Sequence, residues 1–272
     1  MMIINIDSHS AYAYTGGKPF NAQLPTAVFI HGAQNDHSVW ALQTRYFAHH
    51  GFSVLAVDLP GHGRSKGLPL VSVEEMADWL SALLQSAGVQ RAVLIGHSMG
   101  SLIALETAQR AKALVAGVAL VGNAYPMKVS PLLLEASEHR EQAAIDMVNI
   151  WSHSSIAQKP SAPGPGFYVP SGSRRLMQHV AKKNTAKVFF TDFSACNAYA
   201  NGEAAAKSLH CPALFLLGRK DMMTPPKAAA SLMSALPEST RVIIEGSGHA
   251  LMAEQPDQVL DVLFEFAKGS LK

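Results

Sequence analysis

The sequence predicts an α/β fold in which helices cover a mostly parallel sheet. Short apolar runs rich in β-branched residues recur along the chain, each short enough for a strand and continuous enough to be buried on both faces. Helical patterns lie between these runs, and this alternation is typical of a parallel sheet. The 272 residues, with a hydrophobic fraction of 48%, supply enough apolar material for one large domain or a domain with an insertion.

Six apolar runs predict the main strands of the sheet. They cover residues 26–30, 53–57, 91–95, 114–121, 213–217 and 241–244. Two further runs near the N-terminus, at residues 2–6 and 11–15, predict antiparallel strands at one edge of the sheet.

The clearest predicted helix begins after Ser72. Ser72 and Glu75 form a capping-box pattern, because a hydroxyl and a carboxylate at this spacing satisfy each other's unpaired backbone donors. Apolar residues follow at helical spacing until Gly88, which ends the helix. Other helices are predicted at residues 38–49, 98–110, 225–236 and 256–268.

The alternation stops between residues 123 and 206, where no convincing strand occurs. Helices are predicted there at 131–151, 174–183 and 185–199, with a loop rich in Pro and Gly at 159–173. We therefore predict a core domain of residues 1–122 and 207–272 and a helical lid of residues 123–206 over the edge where ligands bind in open α/β folds. The alternative is a helical layer that only thickens the core.

Composition and charge exclude several classes of protein. The net charge is +2 (22 basic against 20 acidic side chains) without a block of Lys or Arg, so neither nucleic acid nor an anionic membrane is expected as a partner. The longest apolar stretch is too short to span a bilayer, and the N-terminus lacks the features of a signal peptide, which together predict a cytoplasmic protein. Cys196 and Cys211 are not spaced as metal ligands. We expect a monomer or a homodimer.

The strongest motif is GHSMG at residues 96–100, directly after a predicted strand and before a predicted helix. This is the G-x-S-x-G pattern in the strand, turn and helix context that it requires. Such a turn is so sharp that the serine is held in a strained conformation at the top of the sheet. Ser98 is therefore the predicted nucleophile.

A serine nucleophile needs a base, and the base needs an orienting acid. Asp221 follows one predicted strand and His249 follows the last one, so both reach the same sheet edge as Ser98 in the expected chain order. Asn123 is a less suitable acid because an amide cannot stabilise an imidazolium as a carboxylate does. His97 is the rival base, but its place before the nucleophile favours a ring turned into the fold.

A tetrahedral intermediate also needs two hydrogen-bond donors for its oxyanion. The backbone N–H of Met99 is one candidate. The loop HGAQ at residues 31–34 follows a predicted strand, and Gly32 would allow this loop to turn close to the nucleophile. The N–H of Ala33 is the second predicted donor.

Five motifs in this order resemble the α/β-hydrolase superfamily over nearly the whole chain apart from the lid. They are HG at 31–32, DLPGHGRS at 58–65, GHSMG at 96–100, GRKD at 218–221 and GH at 248–249. The resemblance implies the α/β-hydrolase fold: an eight-stranded, mostly parallel sheet, a Ser-Asp-His triad, no cofactor, and a lid after the sixth strand. The sequence shows no ligand set for a metal, so none is expected. Within the second motif, Asp58 and His62 are expected to shape a tight loop.

The superfamily hosts many reactions, so the reaction must be predicted from individual residues. Ser98 excludes members with an aspartate nucleophile. The C–C bond hydrolases typically have Asn and Trp at the positions that hold His97 and Ala250 here. A carboxylic ester, thioester or lactone of a small apolar substrate, cleaved through an acyl-enzyme, is the leading hypothesis. Cofactor-free haloperoxidase or perhydrolase chemistry and a non-hydrolysing small-molecule receptor are the alternatives.

The predicted substrate pocket is apolar. Its predicted lining comprises Met222, Met223, Leu251, Met252 and Met99 beside the triad, and Tyr125, Met127, Trp151 and Phe167 from the lid. The basic residues at 174, 175, 182 and 183 indicate a solvated helix face, with recognition of a carboxylate or a coenzyme A phosphate as the alternative.

Overall fold

Eight strands form one sheet in the computed structural model, which describes residues 1–6, 8–154, 165–184 and 186–271, without the side chains of 165–168. The strands are β1 (Met2–Ile6), β2 (His9–Tyr14), β3 (Thr26–Ile30), β4 (Ser53–Val57), β5 (Ala92–His97), β6 (Val115–Val121), β7 (Ala213–Gly218) and β8 (Thr240–Ile244). Each predicted strand is present, with bounds that differ by two residues or fewer.

The strand order is β1-β2-β4-β3-β5-β6-β7-β8. Strands β1 and β2 are antiparallel at one edge, and β3 to β8 are parallel to one another. The register pairs Ile30 with Gly96 and His97 with Val121, so the carboxyl ends of the central strands lie at one edge. The predicted fold class is confirmed.

Helices cover both faces of this sheet. They are α1 (Ala41–His49), α2 (Val73–Ser86), α3 (Met99–Arg110), α9 (Ala230–Ala235), α10 (Leu251–Glu254) and α11 (Pro256–Ser270), with 3₁₀ turns at His37–Trp40 and Pro226–Ala229. Successive residues of β3 point to opposite faces, so Val28 packs in the core with Leu80 of α2, and Phe29 packs in the core with Leu263 of α11. The sheet is therefore buried on both sides, which explains its continuous apolar runs.

The start of α2 shows how its predicted cap is built. The Ser72 hydroxyl accepts a hydrogen bond from the backbone N–H of Glu75 at 3.1 Å. The Glu75 carboxylate reaches one residue further back than a capping box requires and accepts from the N–H of Val71 at 3.2 Å.

A helical insert separates β6 from β7, and no strand occurs there among the residues that the structure describes. Its helices are α4 (Pro131–His139), α5 (Glu141–Ser152), α6 (Pro165–Lys183), α7 (Val188–Ala198) and α8 (Gly202–Lys207). They enclose an apolar cluster of their own, built from Leu133, Ala136, Ala144, Ile145, Met177, Phe189 and Phe193. The insert therefore has a small core separate from the two that flank the sheet.

Two predictions within the insert are wrong in detail. The single helix predicted at 131–151 is broken at Arg140, whose backbone leaves the helical region at φ −142° and ψ 54°. A continuous helix would have placed this charged residue on the apolar stripe, and the break avoids that. The second difference concerns the predicted loop at 159–173. The helix α6 begins at Pro165, so residues 165–173 are helical. Residues 159–164 of that loop lie outside the described residues.

Within the described ranges, no helix is both long enough and apolar enough to cross a membrane. Both cysteines are free thiols, Cys196 buried and Cys211 half-buried. Cys196 packs in the core on the α2 and α3 side of the sheet, so it behaves as a small apolar residue.

Candidate active site

Ser98 occupies the turn between β5 and α3 in a strained backbone conformation. Its φ is +53° and its ψ is −119°, in a region that L-residues rarely adopt. The flanking glycines make this turn sterically possible, because a Cβ on Gly96 would overlap the carbonyl oxygen of Gly100, and one on Gly100 would overlap that of Ile30. The turn leaves Ser98 half-buried between fully buried neighbours.

His249 and Asp221 are paired at the same sheet edge. Nδ1 of His249 lies 2.8 Å from Oδ2 of Asp221, and both side chains are buried. Since Nδ1 faces the carboxylate, Nε2 is the nitrogen left to exchange a proton. Ser98 and His249 line one cavity.

Asp221 is held as a carboxylate by several donors. Its Oδ1 accepts from the backbone N–H groups of Met223 at 2.8 Å and Thr224 at 2.7 Å. Burial alone would raise the pKa of Asp221, but His249 and these hydrogen bonds lower it to about 2. Asp221 is therefore ionised throughout the neutral range.

Thr224 is a site residue that the sequence reasoning missed. Its hydroxyl lies 2.7 Å from Oδ2 of Asp221, 2.9 Å from the carbonyl oxygen of Gly122 and 3.0 Å from Nδ1 of His249. It thus ties the loop after β7 to the end of β6 beneath the imidazole. The available signal was an Asp followed three residues later by Thr, which also fits an ordinary turn.

The two rival residues take other roles. His97 Nε2 lies 2.9 Å from the backbone oxygen of His249, and its ring is buried in the fold. Burial and the neighbouring His249 lower the pKa of His97 to about 3, so it stays neutral and supports the loop that carries His249. Asn123 is fully buried and donates to the hydroxyl of Ser101 at 2.8 Å.

The loop after β3 lies against the nucleophile. A Cβ on Gly32 would come within 3.1 Å of the Cβ of Ser98 and of Nδ1 of His97, closer than most Cβ contacts, so glycine eases this approach. Ala33 follows and lines the same cavity as Ser98. The N–H of Met99 belongs to the first turn of α3, where backbone donors have no partner within the helix. This places both predicted oxyanion donors on segments that border Ser98.

The cavity at Ser98 has a volume of about 340 Å³. Its apolar lining includes Val148, Leu176, Met177, Phe189 and Phe193 from the insert and Met223 and Met252 from the core. Its polar lining includes Asn35, Ser38, Ser152, His153 and Ser173. Among the described lining residues, none has an Asp, Glu, Lys or Arg side chain.

Three predicted pocket residues from the core lie elsewhere, and one of them, Met99, is fully buried in the core on the α3 side. The side chain of Met222 is 69% exposed, whereas its neighbour Met223 lines the cavity, as predicted. Leu251 is fully buried in the core, and Met252 lines the cavity instead. Successive side chains point in different directions, so adjacency to Asp221 or His249 did not show which of them faces the substrate.

Three of the four predicted pocket residues of the insert, Tyr125, Met127 and Trp151, do not line the cavity. Tyr125 packs on Tyr199 and donates its hydroxyl to a backbone oxygen at position 200 at 2.6 Å. Met127 is buried in the core on the α3 side, and Trp151 packs against the cluster inside the insert. The side chain of Phe167 lies outside the described part of the chain. The insert therefore lines the cavity with residues of α5, α6 and α7 that the sequence did not single out.

One cluster has the composition of a metal site. Ligand atoms of Asp36, His37 and Asp58 lie within 4.8 Å of one another. However, Asp58 already accepts from the backbone N–H groups of His37 at 2.8 Å and Arg64 at 2.7 Å, and Asp36 accepts from Ser38 at 2.9 Å. These oxygens brace the loops, which matches the structural role predicted for Asp58.

Comparison with known proteins places the chain in a family. The sequence matches the alpha/beta hydrolase family over residues 27–262. A pimeloyl-[acyl-carrier protein] methyl ester esterase from Proteus mirabilis is 26% identical over 262 residues, 88% of this chain and 90% of that protein. An (E)-2-((N-methylformamido)methylene)succinate hydrolase from Acinetobacter baylyi is 23% identical over 240 residues, 85% of this chain and 86% of that protein.

A solved structure shows the same fold. The enol-lactonase from Burkholderia xenovorans LB400 has a TM-score of 0.84 at 21% identity, over 98% of this chain and 100% of that chain. The family match spans most of the sequence, and the strained Ser98 turn lies within it. This chain therefore belongs to the alpha/beta hydrolase family.

Proposed function

We propose that this protein is a serine hydrolase that cleaves a carboxylic ester through an acyl-enzyme intermediate. The observation that carries the proposal is the 2.8 Å pair of His249 and Asp221, which opens onto the same cavity as Ser98 on its strained turn. A base held by an acid in this way activates a nucleophile, which is what acyl transfer requires.

The reaction follows from this geometry. The hydroxyl oxygen of Ser98 attacks the ester carbonyl carbon while Nε2 of His249 accepts the hydroxyl proton, and Asp221 stabilises the resulting imidazolium. The carbonyl oxygen becomes an oxyanion that accepts hydrogen bonds from the N–H groups of Ala33 and Met99. Collapse expels the alcohol, protonated by His249. Water then attacks the acyl-enzyme by the same steps and releases the acid.

The cavity supports an uncharged, largely apolar acyl group. Its volume of about 340 Å³ lies at the lower end of ordinary ligand pockets, roughly 300–1,000 Å³. Burial of an unpaired ion costs several kcal/mol or more, on the order of the whole binding energy of a small ligand. The described lining offers no Asp, Glu, Lys or Arg side chain to pair with a charged acyl group. Thioesters and lactones with similar acyl groups fit the same site.

The helical insert acts as the substrate-selecting lid in this proposal. Leu176, Phe189 and Phe193 of the insert supply much of the apolar wall, which supports a role beyond thickening the core. The boundaries at residues 123 and 206, the cytoplasmic location and the monomer or homodimer remain predictions.

The alternatives are less well supported. Haloperoxidase, perhydrolase and C–C bond hydrolase reactions would use the same triad, but the relatives described above act on a methyl ester or carry other hydrolase names. An ester assay separates the proposed hydrolase from a receptor, because only a hydrolase turns the ester over steadily.

The test is a series of p-nitrophenyl esters of increasing acyl length, assayed with wild type and Ser98→Ala. Ser98→Ala should lose at least about a thousandfold in kcat, because the nucleophile and base act as a unit. Ser234→Ala, an exposed serine of α9, is the matched control and should behave as wild type. Turnover by Ser98→Ala within about tenfold of wild type would overturn the proposal.

A further inference from the structure

Asp192 is a fully buried carboxylate of the insert whose hydrogen bonds go to the core. It lies on α7, and its Oδ2 accepts from the backbone N–H of Gln34 at 2.8 Å. The same oxygen lies 2.9 Å from Nε2 of His62, which belongs to the loop after β4. Gln34 directly follows Ala33, so the insert is bonded to the chain one residue from a proposed oxyanion donor.

His62 and Asp192 form a buried hydrogen-bonded pair. Nδ1 of His62 lies 3.0 Å from the carbonyl oxygen of Pro60, which can only accept, and Nε2 lies 2.9 Å from the carboxylate of Asp192. Burial lowers the pKa of His62, but the charge and hydrogen bond of Asp192, together with the hydrogen bond to Pro60 and the charge of Asp58, raise it overall. The adjacent His31 ring is neutral, because its Nε2 accepts from the N–H of Leu59 at 3.2 Å.

Gln34 contacts two further helices of the insert. Its side-chain amide donates to the Glu141 carboxylate of α5 at 3.0 Å and to the Met177 carbonyl of α6 at 3.3 Å. Its φ is +56°, a conformation that a residue other than glycine keeps only when its surroundings impose it. The contacts with α5, α6 and α7 are those surroundings.

The loop at residues 31–34 is thus clamped from two sides. Gly32 lies against Ser98 of the core, and Gln34 is bonded to the insert. Ala33 lies between them and packs against both the core and the apolar cluster of the insert. Any shift of α7 relative to the sheet therefore acts on the position of the Ala33 N–H.

We propose that Asp192 and Gln34 are positioning residues through which the helical insert holds the Ala33 N–H in place for the oxyanion. The inference rests on the proposed acyl transfer at Ser98. It extends the role of the insert, because an insert that only selects substrates would leave the stabilisation of the intermediate to the core.

The test is the variant Asp192→Asn, which keeps the shape of the side chain and removes its charge. Loss of one oxyanion donor lowers kcat by roughly 10²–10³-fold, so a displaced donor should lower kcat by about 10–100-fold. The KM for a short ester should change by less than about threefold, since the acyl pocket is intact. Asp146→Asn, an insert aspartate in an exposed ion pair with Arg174, is the matched control and should retain wild-type kcat.

A second measurement separates positioning from general loss of structure. An alkyl boronic acid forms a tetrahedral adduct with Ser98 whose oxygen occupies the oxyanion site, whereas an alkyl alcohol of equal length only fills the pocket. In Asp192→Asn the inhibition constant of the boronic acid should rise in parallel with the loss of kcat, and that of the alcohol should not. An unchanged boronic acid constant, or a loss confined to KM, would overturn the inference.

A third variant decides the matter if Asp192→Asn does not fold. Gln34→Asn tolerates a positive φ but is too short to reach Glu141, so it should show the same pattern with a smaller amplitude. Wild-type values in this variant would count against the inference. If instead wild type itself lacks Ser98-dependent ester hydrolysis, the proposed function has failed, and the two failures are distinguishable.

Discussion

The sheet edge and the helical insert are each stabilised internally by a different kind of contact. At the edge, Ser98 is fixed by glycines that admit no Cβ, and Asp221 is fixed by hydrogen bonds of 2.7–2.8 Å. The insert is held mainly by an apolar cluster that includes Ile145 and Phe189. Apolar side chains of similar volume can replace one another for less than about 1.5 kcal/mol, whereas a buried polar group that loses its partner costs about 1–3 kcal/mol.

This difference separates reactivity from selectivity. The groups that perform the proposed chemistry tolerate little change in position, and the residues that shape the pocket wall tolerate exchange. The polar bridge from Asp192 to Gln34 and His62 crosses between the two regions, so it is the place where a change in the insert should affect the chemistry.

The largest effect should follow removal of a charge at the sheet edge. Asp221→Asn should lower kcat for a short p-nitrophenyl ester by on the order of 10⁴-fold, because an amide favours the wrong imidazole tautomer. Asp261→Asn, an exposed aspartate of α11, should retain wild-type activity. If Asp221→Asn loses less than about tenfold, another group orients His249.

A smaller effect should appear in stability as the pH falls. The pKa of Asp221 is lowered from 3.8 to about 2 in the folded protein. A lowered carboxyl pKa stabilises the fold above the unfolded value and loses that stabilisation as the pH drops through the folded value. The measurement is the free energy of unfolding in urea of wild type and of Asp221→Asn at two pH values. The amount by which wild type exceeds the variant should be about 2 kcal/mol larger at pH 6 than near pH 2. A difference that is independent of pH would contradict the prediction.

The smallest effect should come from the pocket wall. Leu176→Ala should shift the ratio of kcat/KM for longer over shorter acyl chains by about tenfold, since a change of a methylene or two is worth roughly 1–3 kcal/mol. The kcat for the shortest ester should stay within about threefold. Leu132→Ala, at an exposed position of α4, is the control. An equal loss at every chain length would show that this part of the insert serves the chemistry.

The residues of the sheet edge could be predicted because short-range rules place them. Ser98 follows β5 directly, Asp221 and His249 lie in the loops after β7 and β8, and parallel strands bring their carboxyl ends to one edge. The glycines around Ser98 mark the sharp turn in the sequence itself. The strands could be predicted for the same reason, since burial on both faces leaves a continuous apolar run.

The pocket wall and the bridge could not be predicted, because they depend on how the insert docks. The pattern around Met222 and Met223 does not show which of the two faces the cavity. His62 and Asp192 are separated by 130 positions, and no periodicity relates a loop residue to a residue of a distant helix. Sequence motifs thus predicted the candidate reaction, and tertiary packing was needed to find its walls and supports.

The lack of Asp, Glu, Lys and Arg side chains among the described residues of the cavity wall also affects product release. Hydrolysis converts a neutral ester into an acid that ionises at neutral pH, so the product acquires a charge inside walls whose described residues include no Lys or Arg side chain to pair with it. Ionisation makes the bound product less stable than the substrate that preceded it, and departure into water becomes favourable. The acid should therefore inhibit weakly, and the cavity that admits the ester should itself help to clear the site for the next molecule.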